Sequence, residues 1–318
     1  MDFGLHLGIR GPGANPDALK VIAQEAELLG FAYLGFSDHV VIAEKVDSYY
    51  PYAKNGRWFA EDSGECLEQI TTLCFTAAVT NRIRLLTSVM VLPHRPVVLA
   101  AKMLKTVDVL SKGRLTVGLG VGWMAEEIAL LSGPPFAERG KAADEYIRAF
   151  RELWTSDAPV FKGEHVAFEC LKFHPKPVQE PHPPLWIGGE AKAGRQRAGR
   201  LGDGWYPVGN NPAAPFDTAG RYAAGLADVK LAAELAGRDP EEITRGLLGI
   251  WYQLGEGDRD TEGGRRIFTG SAQAIVDDIA AYRAVGLQTF VIGGESASLE
   301  QCLERMRQFE AEIMRHFR

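Results

Sequence analysis

A chain of 318 residues is long for one ordinary domain and normal for a closed α/β barrel, which commonly runs to roughly 250 residues and more with insertions. Hydrophobic residues make up 46% and charged residues 24%, the balance of a globular protein with a large core, and a net charge of -6 argues against nucleic acid or an anionic membrane as partner. The N-terminus enters an alternating strand at once, without a basic region and apolar core, and no apolar run approaches the ~18 residues of a membrane span, so a cytoplasmic protein is expected.

Phe3 to Ile9 reads as a first strand and Pro16 to Leu29 as its helix, with Asn15 at the N-cap, Pro16 in the first turn and Gly30 as terminator. Tyr33 to Ser37 is the second strand. Residues 40 to 62 break the rhythm: Tyr49, Tyr50, Pro51, Tyr52, Asn55, Gly56, Arg57 and Trp58 form an aromatic, turn-rich insertion of a length typical of lids and binding loops. A helix from Gly64 to Thr80, a strand from Ile83 to Leu92 and a helix from Pro96 to Leu110 follow.

The fourth strand, Leu115 to Gly122, alternates Leu115, Val117, Leu119 and Val121 with Thr116, Gly118, Gly120 and Gly122, so one face carries branched apolar bulk and the other almost no side chain. Two readings stay open: a planar ring or a phosphate approaches the bare face, or a neighbouring strand packs tightly into it. Ala137 to Trp154 is a helix with Ala142, Tyr146, Ala149, Phe150 and Leu153 on its core face. Val160 to Phe168 is a hairpin with Lys162-Gly163-Glu164 at its tip, an excursion over about 158–170.

Alternation then resumes. Leu185 to Gly189 is strand five, Ala191 to Leu201 its helix, Gly204 to Val208 strand six, Ala213 to Ala236 its helix, Thr244 to Leu254 strand seven, Ser271 to Val285 its helix, Thr289 to Gly293 strand eight, and Leu299 to His316 a terminal helix. Eight strand–helix units without an internal repeat predict an α/β fold, a single (β/α)8 TIM-barrel domain over 1–318 with insertion loops. A doubly wound sheet is the alternative.

Chemistry in such a barrel belongs at the strand C-termini. There the sequence offers Ser37-Asp38-His39, Thr87-Ser88-Val89, the Gly120-Val-Gly122-Trp123-Met-Ala-Glu126-Glu127 turn, and Gly188-Gly189-Glu190-Ala191 leading into a helix with Arg195 and Arg197. A carboxylate beside an imidazole can orient a ring and shuttle a proton, and a Gly-rich turn at a helix N-terminus suits a phosphate. The bland alternative is that Asp38 caps the loop, His39 packs and the glycines only fill space. Ile292-Gly293-Gly294 is a second such turn. Glu126 and Glu127 fall in the first turn of a helix, where the dipole favours the ionised form, making them structural anions rather than proton donors. Four scattered cysteines and seven histidines without paired spacing indicate neither a disulfide framework nor a metal site, and no Gly-x-Ser-x-Gly elbow occurs.

Several motifs in order carry a resemblance: Thr80-Asn-Arg-Ile-Arg-Leu-Leu-Thr-Ser-Val-Met-Val-Leu-Pro-His-Arg95, Ala101-Lys102, Asp108-Val-Leu-Ser-Lys-Gly-Arg114, the Gly-x-Gly-Trp turn, Phe136-Ala-Glu-Arg-Gly140, Asp144-Glu-Tyr-Ile-Arg148, Leu153-Trp154, Pro184-Leu-Trp-Ile-Gly-Gly189 and Arg197-Ala-Gly-Arg-Leu-Gly-Asp-Gly-Trp205. Together they resemble the luciferase-like monooxygenase superfamily over nearly the whole chain. Ser37-Asp38-His39 and the Asp47-Ser-Tyr-Tyr-Pro-Tyr-x-x-x-Gly-Arg insertion are similar to the branch that uses the deazaflavin coenzyme F420.

The resemblance implies a homodimeric barrel with a deazaflavin in its C-terminal mouth. Asp38 and His39 then stand near the reactive ring, and their place at a strand C-terminus opposite the glycine turn suggests that His39 exchanges a proton there with Asp38 fixing its orientation. Ser88 and Val89 form a strand-three bulge, often with a non-prolyl cis bond, behind the ring. Gly120, Gly122, Glu126, Gly188, Gly189 and Arg197 complete the cofactor contacts, with Gly188 and Gly189 at the phosphate. One departure bears on substrate. Members acting on glucose 6-phosphate carry a glutamate directly after the strand-four Gly-x-Gly, where this chain has Trp123, so sugar-phosphate oxidation is not expected. Trp123 with Tyr50 and Trp58 suggests a small hydrophobic or aromatic substrate and hydride transfer. An FMN-dependent monooxygenase and a non-catalytic flavin-binding barrel are the alternatives.

Overall fold

Along β1 (Asp2–Leu7), Phe3, Leu5 and Leu7 point one way and Gly4 and His6 the other, and this two-residue period decides which layer each joins. The computed structural model describes residues 1–53, 55–58, 63–259 and 263–318. β1 is followed by β2 (Tyr33–Phe36), β3 (Arg84–Val91), β4 (Leu115–Gly120), β5 (Leu185–Ile187), β6 (Gly204–Trp205), β7 (Thr244–Gly249) and β8 (Thr289–Gly293). All are parallel, each pairs with the next in chain order, and β8 pairs back onto β1, closing the barrel and leaving it no free edge. The doubly wound alternative is thereby excluded.

Helices α1 (Pro16–Leu29), α2 (Gln69–Val79), α3 (Val97–Leu110), α4 (Ala125–Leu130), α5 (Arg139–Thr155), α6 (Lys192–Leu201), α7 (Ala219–Leu235), α8 (Ala272–Ala284) and α9 (Leu299–Glu312) lie between or after the strands. The main core sits between strands and helices; inside the barrel Tyr33, Leu86, Trp186, Tyr206, Leu248 and Val291 form a second, smaller cluster that fills the lumen.

α1 has the expected bounds, with the Asn15 side chain accepting from Ala18 N at 3.0 Å and Gly30 closing it in the left-handed region. α2 begins five residues later than expected. Leu67 N donates to the Ile9 carbonyl, drawing the preceding segment to the end of β1, and Glu68 then caps the helix through Thr71 N at 2.6 Å. α7 likewise starts at Ala219 rather than near Ala213, because Phe216 is buried against Trp205 and Thr218 supplies the cap. Strand seven stops at Gly249, and Gln253–Leu254 instead pairs with Thr269–Gly270 in a separate ladder. The hairpin excursion is present as Phe161–Lys162 against Ala167–Phe168. Of the insertion, residues 54 and 59–62 lie outside the described residues; 40–53 and 55–58 contain neither helix nor strand. No helix among the described residues is long and apolar enough to cross a membrane, and no cluster of metal-ligating side chains occurs among them.

Candidate active site

The C-terminal ends of the strands enclose a cavity of about 890 Å3. His6, Ser88 and Tyr206 border it from β1, β3 and the end of β6, and the insertion contributes Tyr50, Tyr52 and Trp58.

His39, directly after β2, reaches this cavity with its side chain 12% exposed. Its Nδ1 lies 2.7 Å from Glu127 Oε2, on α4 at the exit of β4. Burial raises the Glu127 carboxyl, but the His39 hydrogen bond and charge, His94 and the Val40 amide outweigh it and hold the group below the ordinary carboxylate range. Glu127 is thus ionised at neutral pH, so Nδ1–H donates to it and Nε2 is the nitrogen left towards the cavity. The Trp58 ring lies over the imidazole at 4.4 Å between centroids, and Trp123 meets it edge-on at 6.2 Å. His39 is therefore a fixed imidazole with one committed nitrogen and one open nitrogen.

Asp38 does not orient it. Consecutive residues leaving a strand point apart, and the Asp38 carboxylate turns inward to Arg95, which donates from Nη1 and Nη2 at 2.8 Å each, while Val91 N donates at 2.9 Å. Burial raises its pKa, yet the Arg95 bonds bring it below the ordinary value. Arg95 continues to Glu68 at 2.6 Å. His94 lies between the two acids, Nδ1 3.7 Å from Asp38 and Nε2 3.5 Å from Glu127, and burial lowers its pKa. The orienting role expected of Asp38 therefore belongs to Glu127, and Asp38 anchors the loop to β3.

Strand three departs from regular register between Thr87 and Met90, and the Ser88–Val89 peptide is cis, the bulge the resemblance implied. This bulge fills the bare face of β4. A Cβ on Gly118 would stand 2.2 Å from the Thr87 carbonyl oxygen, and one on Gly120 would stand 2.7 Å from Val89 Cγ2. Of the two readings of that face, tight packing of a neighbouring strand accounts for Gly118, while Gly120 and Gly122 also border the cavity. Ser88 Oγ is 3.0 Å from both His6 Nδ1 and the Tyr206 hydroxyl. Burial, with Arg10 adding to it, lowers His6 to about 4, so this floor is an uncharged hydrogen-bonded chain at neutral pH.

On the β5 side, Gly188 and Gly189 border the cavity, Gly189 with φ 107°, and no side chain caps the N-terminus of α6. Arg197 is committed, with Nε donating to Asp144 and Nη2 to the Gly140 carbonyl at 2.9 Å. Arg139 is different. Its Nε and Nη1 reach only the Gly122 and Phe136 carbonyls, at 3.2 and 2.7 Å, and it has no carboxylate partner among the described residues. Glu190, buried in the same turn, accepts from Val208 N at 2.8 Å and Asn211 Nδ2 at 3.1 Å, and burial raises its pKa despite these bonds and that of Tyr52.

The insertion is folded down onto this mouth. Tyr50 meets Trp123 edge-on at 5.0 Å, and Trp58 packs with Met124, Ile42 and Val46. Burial pushes the Tyr50 hydroxyl up to about 12. Glu126, expected at the cofactor, does not border the cavity: its Oε1 accepts from the Asp47 and Ser48 amides at 2.8 and 3.0 Å, and its pKa is below the ordinary value although burial opposes this. The structure thus gathers His39, Asp38, Ser88, Val89, Gly120, Gly122, Trp123, Tyr50, Trp58, Gly188, Gly189 and Arg197 around one cavity and leaves Glu126 behind it.

A model of the luciferase-like monooxygenase family matches residues 1–316. The chain belongs to this family. A Mycobacterium tuberculosis protein without an assigned function is 35% identical over 191 residues, 60% of this chain and 65% of its own length. A dimethylsulfone monooxygenase from Pseudomonas putida, dependent on FMNH2, is 32% identical over 189 residues, 57% of this chain and 52% of its own. The matches thus span 65% or less of these relatives' lengths. Among solved structures, a Streptomyces bottropensis monooxygenase superposes with a TM-score of 0.76 at 22% identity over 100% of both chains. An F420-dependent secondary alcohol dehydrogenase superposes with 0.74 at 18% over 98% of both. At these identities the superpositions show the shared barrel.

Sequence reasoning missed the partners rather than the location. Arg95 and His94 stood in the motif Pro93-His94-Arg95 without a role, and His6 was passed over although a histidine on the lumen side of an otherwise apolar strand was signal enough. Glu190 reads in the sequence only as part of a turn. The Glu127–His39 pair, 88 residues apart, had no local signal.

Proposed function

We propose that this protein is an oxidoreductase that transfers a hydride between coenzyme F420 and a small hydrophobic or aromatic substrate. The observation that carries the reading is the Glu127–His39 pair: a fixed imidazole with one nitrogen open to the cavity at the barrel mouth. The cavity, at about 890 Å3, lies near the upper end of the ~300–1,000 Å3 range of ligand clefts, so a tricyclic cofactor and a substrate fit together. Gly188, Gly189, the uncapped first turn of α6 and the Arg139 guanidinium would hold a phosphate, and Val89 would stand behind the ring. A bound deazaflavin supplies or accepts the hydride, as two-electron chemistry.

The chain's own residues do the rest. His39 Nε2 takes a proton from, or returns one to, the substrate oxygen, and Glu127 stabilises the imidazolium that forms. Tyr50, Trp58 and Trp123 orient an apolar substrate and exclude water from it. We further propose a cytoplasmic homodimer of single-domain subunits acting on small molecules rather than on nucleic acid or membrane, a reading supported by the resemblance and by the net charge of -6.

An FMN-dependent monooxygenase is the second reading, favoured by the FMNH2-dependent dimethylsulfone monooxygenases among the relatives, at 32% and 28% identity. Titration of the apoprotein separates the two. F420 is expected to bind at least tenfold more tightly than FMN, a margin of about 1.4 kcal/mol. Equal or tighter FMN binding overturns the deazaflavin reading, and failure to bind either leaves a barrel outside flavin chemistry altogether.

A further inference from the structure

Every charged side chain that borders the cavity can be matched to a partner, with two exceptions. Asp38 is paired with Arg95, Glu127 with His39, Glu295 with Arg10 at 2.6 Å, and Arg197 with Asp144. Glu190 is satisfied by Val208, Asn211 and Tyr52, and burial favours its neutral form. Among the described residues this leaves two guanidinium groups without a carboxylate. Arg139 stands at the start of α5, beyond β4, with its Nε on the Gly122 carbonyl. Arg305 stands on α9, after β8, and lines the cavity together with Gly293 and Ile250. They occupy opposite sides of the barrel mouth, because β4 and β8 are half a circuit apart.

Arg305 is the less expected of the two. Its Nη2 donates to the Tyr252 carbonyl, its Nε is buried with no acceptor, and its guanidinium carbon lies 5.2 Å from the centre of the Tyr252 ring. A partly buried cation with one neutral acceptor is costly to hold, since a carbonyl and a ring face replace only part of its hydration. Nε is closed off from the cavity, so Nη1 is the nitrogen left for an anion that the protein does not itself supply.

The uncapped start of α6 and Arg139 belong to the β4–β5 side of the mouth, opposite Arg305, so a phosphate held there leaves Arg305 unmatched. We propose that Arg305 is a substrate-binding residue that recognises a carboxylate, and that the substrate is an aromatic or otherwise apolar monocarboxylic acid. Its apolar body lies against Tyr50 and Trp58, and its acid group pairs with Arg305. This rests on the reading of the cavity as a joint cofactor and substrate site.

The test uses 4-phenylbutyrate and its neutral amide as probes, titrated calorimetrically against the full-length wild type, Arg305→Met and Arg305→Lys. Wild type is expected to bind the acid at least tenfold more tightly than the amide, and less so as ionic strength rises. Arg305→Met is expected to abolish the preference while holding the amide within twofold, and Arg305→Lys to keep part of it. Unchanged amide affinity also shows that each variant is folded. Equal binding of acid and amide by wild type, a preference that survives Arg305→Met, or no measurable acid binding each overturns the proposal. F420 affinity is measured on the same samples. Should Arg305→Met weaken F420 rather than the acid, the anion belongs to the cofactor and the substrate assignment falls. Failure of wild type to bind F420 or FMN would instead count against the cofactor reading and leave the acid-to-amide ratio intact.

Discussion

Replacing Asp38 by Asn separates a structural carboxylate from His39, the neighbour one residue away that we propose exchanges the proton. The Asp38 side chain is fully screened from solvent, accepts two 2.8 Å bonds from Arg95 and one from Val91 N, and touches neither His39 nor open cavity with a free oxygen. An asparagine keeps the volume but turns one acceptor into a donor facing a guanidinium. Removing one member of a buried ion pair costs about 3–5 kcal/mol. The lower figure applies here because Arg95 retains Glu68, whose side chain is 30% exposed. For a chain of this length about 3 kcal/mol corresponds to a fall in melting temperature of roughly 5 °C. Scanning calorimetry and a rate–pH profile on the same preparation decide the matter. Asp38→Asn is expected to melt early yet, below its transition, to keep the wild-type profile. An unshifted melting temperature, or a profile that loses the same inflection as a His39 variant, would refute the assignment of Asp38 to the loop anchor and restore it as the orienting group.

His39→Asn is expected to lower kcat ~100-fold and remove one inflection of the rate–pH profile with cofactor affinity unchanged, while Glu127→Gln, acting through His39, loses roughly tenfold to a hundredfold and shifts that inflection. Stability at acid pH should carry the mark of His6. Its folded pKa of about 4 lies below the unfolded 6.5, so the folded state resists a proton that the unfolded state accepts, and stability is lost as pH falls from 6.5 to 4 by about 3 kcal/mol. His6→Asn removes that term, so denaturant midpoints of wild type and variant should draw together across this window. Gly118→Ala places a Cβ against the Thr87 carbonyl and is expected to destabilise by about 1–3 kcal/mol in urea unfolding; a neutral result would show that the bulge gives way.

The barrel was legible because its signals are local: period-two alternation in β1 and β4, Asn15 and Pro16 opening α1, and glycine closing it. Boundaries failed where tertiary contacts overrode them. Leu67 is drawn to Ile9 before α2 can begin, and Phe216 is spent on Trp205 rather than on a first helical turn. The site was legible as a place, since strand ends converge on one rim, but not as a set of bonds. That Asp38 pairs with an arginine 57 residues on, and His39 with a glutamate 88 residues on, follows from closure of the barrel, which no window along the chain contains. Arg305 was hidden differently, as one charge among many on a helix that is mostly surface.

The insertion is attached in a way that bears on how this protein can change. Glu127 takes the amides of Val40 and Val41, and Glu126 those of Asp47 and Ser48. Every residue except proline has such an amide, so these moorings are indifferent to sequence. Tyr50, Trp58 and their neighbours are therefore free to drift without loosening the loop from the barrel. Two glutamates in one helical turn make the aromatic wall of the cavity interchangeable, and selection, in nature or in the laboratory, can act on that wall while the Glu127–His39 pair beneath it stays as it is.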